Sequence, residues 1–124
     1  MTQPTNAELD RFMAEEVMGW CDNGMGMWVD KKGRPRMYIY KKYVKYDEGA
    51  PIWHPSADIA QVMECAEKLA KDNVWRVEID IVPHGFAVNV KEKTYSEKSI
   101  SSKFGNVLAF TICLALYESK KGGE

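Results

Sequence analysis

The chain predicts an α+β fold, an antiparallel sheet with three helices packed on it, in the order α-ββ-α-ββ-α. Three observations carry this. Apolar residues recur at helical spacing in three separate segments. Two further segments carry strand-type residues interrupted by turn chemistry, each reading as an antiparallel hairpin. No strand is followed by a helical crossover of the kind that builds a parallel sheet.

Helix one is predicted over residues 6–20. Asn6 is read as its N-cap, with Glu8 and Asp10 in the first turn, where the helix dipole favours negative charge. Leu9, Phe12, Met13, Val17 and Trp20 form its apolar stripe. A basic, aromatic hairpin is predicted at about 25–47. Met27, Trp28 and Val29 make one strand, Asp30-Lys31-Lys32-Gly33 the turn, and "RMYIYKKYVKY" from Arg36 the return strand.

Helix two is predicted over residues 56–71, capped by Ser56 and opened by Ala57 and Asp58. Its buried stripe is Ile59, Val62, Met63, Ala66 and Leu69, and Glu64 and Lys68 form an i,i+4 pair on the wet side. Residues 74–82 give the clearest strand pattern: Trp75, Val77, Ile79 and Ile81 alternate with Arg76, Glu78 and Asp80. Pro83-His84-Gly85 makes a turn, and Phe86, Val88 and Val90 return on one face. Residues 91–103 read as a loop or a short edge strand. Helix three starts at Gly105 or Asn106 and runs to Lys120, apolar almost all round from Val107 to Tyr117.

The 124 residues predict a single domain with a core large enough to stand without staples. No apolar run approaches the ~20 residues of a membrane span. The first residues lack a basic segment followed by an apolar one, so secretion is not expected. Cys21, Cys65 and Cys113 are odd in number, with no CxxC pair, and read as reduced thiols of a cytosolic protein. With two histidines and no Cys/His spacing, no structural metal is expected. No cofactor motif, Ser-His-Asp arrangement or paired-carboxylate site can be read, so the chain is expected not to be an enzyme.

The net charge of −1 hides an asymmetry. Residues 31–46 carry seven bases and no acid, whereas residues 1–30 carry six acids and one base. A general nucleic-acid binder would be basic throughout. One cationic segment on an acidic background suits a small anion instead.

Three stretches, "ELDRFMAEEVMGW", "WHPSADIAQVMECAEKL" and "LAFTICLALYES", together resemble the phage ABA sandwich domain family, in order and spacing as well as in wording. The resemblance covers most of the chain; the inserted basic hairpin is the departure from it. It implies an α/β/α layered sandwich and expression in the cytoplasm of an infected bacterium, and it implies no settled activity.

Three candidate sites follow. At the start of helix two, Trp53 can stack on a base, His54 and Ser56 can meet a phosphate at the helix N-terminus, and Asp58 can take a ribose hydroxyl; the same residues also make an ordinary cap. In the hairpin, Arg34, Arg36, Tyr38, Tyr40, Lys42 and Tyr43 interleave cations with rings, as a nucleotide requires. That pattern equally suits a guarded sheet edge or a protein interface. Before helix three, Ser101 and Lys103 lie near another helix N-terminus, or in a solvated loop. Together these predict a phage accessory protein that sequesters a small, nucleotide-like anion, a host immune signal being one candidate, and that forms a homo-oligomer. The alternative is a protein–protein module that inhibits a host factor or acts in phage assembly.

Overall fold

The computed structural model describes residues 3–39, 52–92 and 99–122. Among them the fold is α+β, with three helices and two antiparallel three-stranded sheets. The strands expected to share one sheet are divided between two.

Helix α1 spans Asn6–Phe12 and continues directly into a π-helical turn, Met13–Val17. Its cap is Thr5, not Asn6. Thr5 Oγ1 accepts from the Glu8 N–H (3.2 Å) and Glu8 Oε1 from the Thr5 N–H (2.9 Å). Asn6 could not form this reciprocal box, because the residue three positions on is Leu9. The wider π-turn lets Met13, Ala14 and Val17 all reach the core, and Gly19, at φ 74°, turns the chain away.

The small sheet is ordered β1 (Cys21–Asp22), β2 (Met27–Val29), β3 (Pro35–Tyr38). The predicted turn is present, with Gly33 at φ 79°. Asp30 holds it: Oδ1 accepts from the Lys32 and Arg34 N–H groups, and Oδ2 from both the Arg34 and Arg36 guanidiniums (2.8 and 2.9 Å). Trp28, buried, anchors the sheet to the core. The return strand is described only as far as Ile39, so its predicted continuation through Tyr40, Lys42, Tyr43 and Tyr46 lies outside the described residues.

Helix α2 spans Ile59–Asn73 and is capped by Asp58, whose carboxylate accepts from the Gln61 N–H. Ser56, the expected cap, sits two residues earlier and is buried. The buried stripe is Val62, Cys65, Ala66 and Leu69. Ile59 and Met63, expected inside, are 45% and 39% exposed: the buried face is centred on Val62, Cys65, Ala66 and Leu69, and these two lie at its margin. Lys68 pairs with Asp72 at 3.1 Å.

The large sheet is ordered β4 (Trp75–Val82), β5 (Gly85–Glu92), β6 (Ser99–Gly105). Register places Val77 beside Val90 and Ile79 beside Val88 on the face that packs on the helices. Arg76, Glu78 and Lys91 form an ion-paired cluster on the other. Ile81, expected in the core, is 83% exposed, since β4 runs beyond helical cover toward the Pro83-His84 turn.

Residues 99–105 form a full edge strand where a loop or short strand was expected. Ser101 and Lys103 find partners on helix α3 (Leu108–Gly122), whereas Ser102 donates to Asn89 Oδ1 on β5, so polarity in the sequence does not mean solvent. β6 ends at Gly105, where a Cβ would collide with Thr111 Oγ1 on the first turns of α3. Helix α3 touches β5 and β6 on one side and α1 and α2 on others, and Ile112, Cys113, Ala115 and Leu116 are fully buried. At ~1.5–3 kcal/mol for each large apolar side chain removed from water, this helix is the main stabilising element of the core.

Candidate functional site: a groove between helix one and the small sheet

Ile52 forms a parallel bridge with Tyr38, and the Trp53 N–H donates to the Tyr38 carbonyl at 3.0 Å. The chain entering α2 is thereby laid along β3 and pressed against α1. Between them is a half-open groove of about 290 Å³. Ala7, Asp10 and Arg11 line it from α1, Trp28 and Ile39 from the small sheet, and Ile52, Trp53 and His54 from the approach to α2. Its volume lies near the lower end of small-ligand pockets, ~300–1,000 Å³.

The walls are held stiffly. Trp53 Nε1 donates to the Asp10 carbonyl at 2.8 Å, and its ring meets Trp20 edge to face at 4.8 Å. The Arg11 guanidinium lies 5.0 Å above the Trp28 ring and pairs with Glu15 and Asp22 at its exposed end. Gln61 Oε1 accepts from the His54 N–H at 2.7 Å and lies 3.2 Å from His54 Nδ1, while Gln61 Nε2 donates to the Ile52 carbonyl. One amide therefore fixes both Ile52 and His54.

Asp10 is the unusual group. It is half-buried, and Oδ1 accepts from the Ser56 N–H at 2.8 Å. Burial pushes its carboxyl above the ordinary aspartate value, against the smaller opposing effects of the Ser56 N–H and hydroxyl and of His54. Ser56 Oγ, itself buried, lies near this carboxylate without hydrogen-bond geometry to any described group. A carboxylate kept in a cleft against its own desolvation cost marks a candidate site.

The predicted site residues divide clearly. Trp53 and His54 line the groove. Trp53 is 3% exposed, so its ring backs the groove and offers no free face for a stacked base. Ser56 and Asp58 stand behind it as a buried strut and a helix cap; with Asp58 accepting from Gln61, the N-terminus of α2 already has its carboxylate. Arg34 and Arg36 are both on Asp30 at the hairpin turn, and Tyr38 is a half-buried residue of β3. Tyr40, Lys42 and Tyr43 lie outside the described residues; the two described neighbours of that segment, Ile39 and Ile52, both line the groove.

Ser101 and Lys103 belong to the other sheet and are engaged within the fold. Ser101 Oγ donates to the Ala115 carbonyl and meets Ser119 Oγ at 2.6 Å, and Lys103 pairs with Glu118. They fasten β6 to α3 and do not form an anion seat.

Sequence reasoning missed Asp10 as a site residue, and with it Arg11 and Trp28. Asp10 carried one signal: it sits three and four positions before the buried Met13 and Ala14, at the margin of the apolar stripe. Nothing local marks Arg11 or Trp28. Comparison with family models, with curated proteins and with solved structures finds no match for this chain. Among the described residues no helix is long and apolar enough to cross a membrane.

Proposed function

We propose that this chain is a non-enzymatic binding protein that sequesters a small, nucleotide-derived anion, working as a phage accessory factor in the cytoplasm of the host cell. The phage source rests on the three sequence stretches that resemble the ABA sandwich family. The binding reading rests on one observation: a groove whose lining brings Asp10, Arg11 and His54 together with the apolar residues Trp28, Ile39 and Ile52. Such a mixture orients a polar ligand with both donor groups and negative charge. Residues 31–46 carry seven bases and no acid in an otherwise acidic chain, a composition that suits an anionic ligand. A sequestering protein needs affinity and abundance only, which agrees with a chain whose motifs suggest no nucleophile or acid–base pair.

The test is a thermal-shift panel with cyclic dinucleotides, cyclic trinucleotides and ADP-ribose derivatives, together with the absorbance spectrum of the purified protein. Binding predicts a raised melting temperature with at least one class, or co-purifying material absorbing near 260 nm. A flat panel with a clean spectrum ends the reading. The rival, a protein–protein module, draws on a different observation: Ile81, Phe104 and Val107 expose apolar surface at one end of the large sheet. It predicts a flat panel and a stoichiometric complex with a host or virion protein, lost on Phe104→Ser.

A further inference from the structure

We infer that the Asp10 carboxylate is the specificity determinant of the groove and reads the paired N–H donors of a guanine-type base. This rests on the binding reading above and names the part of the ligand that the groove discriminates.

Asp10 is the one acidic residue among the described groove-lining residues, and it is flanked by Arg11 and His54. A simple cation would meet Arg11 as well as Asp10 and gain little. A ligand that presents neutral donors at one end and negative charge at the other satisfies both groups at once. Guanine offers such an end: N1–H and the 2-amino group point the same way and match two carboxylate lone pairs. Adenine presents the bare N1 acceptor at the equivalent place, which would face the carboxylate without a proton between them.

The carboxylate is held for this task. The Ser56 N–H fixes Oδ1 at 2.8 Å, and the Asp10 backbone carbonyl accepts from Trp53 Nε1. Ser56 Oγ lies beside the same carboxylate, and among the described residues no other side chain is placed to donate to it. Burial also disfavours the ionised group, so a ligand that supplies donors relieves a cost the free protein carries. The phosphate end of the nucleotide would lie toward Arg11, whose present partners, Glu15 and Asp22, are exposed and exchangeable.

The experiment is isothermal titration of the full chain with GMP, IMP and AMP, repeated with the guanine-only and adenine-only cyclic dinucleotides. A donor pair read by a charged acceptor is worth roughly ten- to a hundredfold in affinity. The expected order is GMP tightest, IMP intermediate because it keeps N1–H and lacks the amine, and AMP weakest. Asp10→Asn keeps an acceptor for the Ser56 N–H, so it folds, as its melting curve verifies; it should erase the GMP-over-AMP preference and leave weak, unselective binding. Equal affinity for all three bases, or a preference that survives Asp10→Asn, overturns this inference and leaves the binding reading standing. Binding of none of the nucleotides overturns both.

Discussion

The two halves of this molecule use the same element, a three-stranded antiparallel sheet, in opposite ways. The large sheet has strands of eight, eight and seven residues, a regular inward face, and a nearly all-apolar helix lying on it. Its polar groups near the helix are absorbed: Ser101, Ser119 and Lys103 bind α3 or the β6 edge. The small sheet has strands of two, three and four residues and is held by side chains more than by its ladder, with Asp30 clamping the turn and Asn23 Oδ1 receiving the Met25 and Met27 N–H groups. Polar groups there border an open groove. One half converts its sequence into stability; the other spends some of its stability on holding Asp10, Arg11 and His54 where a ligand could reach them. Ligand sites combine apolar walls with a few convergent polar groups, the mixture found in the small-sheet half.

The contrast can be broken most directly through the core. Ile112→Ala, in the middle of α3, should destabilise the fold by about 2–5 kcal/mol in urea titration. Trp53→Phe, which keeps a ring in the groove wall but removes the bond to the Asp10 carbonyl, should cost about 1 kcal/mol and loosen the groove. If the order is reversed, the groove half is the structural centre and the comparison fails.

A smaller effect sharpens it through pH. Asp30 has its carboxyl held well below the ordinary value, first by the Arg34 N–H, then by the Arg34 side chain, the Lys32 N–H and Arg36, against a desolvation effect that raises it. A depressed carboxyl stabilises the fold above its unfolded pKa, and that contribution is lost as pH falls below ~4. Asp10 is raised, so its sign is opposite: the ionised form costs stability near neutrality, and the cost fades on acidification. Asp30→Asn should therefore lower stability at pH 7 and flatten the acid limb of a melting-temperature profile from pH 7 to 3. Asp10→Asn should be neutral or stabilising at pH 7. The same direction in both variants would show that the two carboxylates are not used differently.

The smallest effect is chemical. Burial pushes the Cys65 thiol up to about 12 and Cys113 higher still, with Glu64 and Asp10 adding to the first and Cys65 and Asp10 to the second. Cys21 is exposed in the small sheet. Titration of the native protein with a disulfide reagent should release one equivalent quickly, and three only in denaturant. Fast release of two or more would mean that the α2–α3 core opens readily.

Local patterns carried most of the fold. The period-two alternation of Trp75, Val77 and Ile79 fixed β4, and the spacing of Leu9, Met13 and Val17 fixed the first helix. Asp30 and Gly33 fixed a turn. Each involves residues a few positions apart, so chain geometry alone decides which face they share. The charge asymmetry and the apolar character of α3 were equally local.

The rest depended on partners distant in sequence. Whether Ser101 meets water or Ser119, whether Asp10 is a dipole residue or the floor of a groove, and whether Trp53 is a stacking face or a strut are decided 14 to 46 positions away. The division of the strands into two sheets is of the same kind. A side chain's neighbours across the core set its solvation and its spare hydrogen bonds, and no periodicity encodes them. The sequence determined which elements form and which faces they bury; tertiary contact alone decided which polar groups those faces consumed and which they left free to bind.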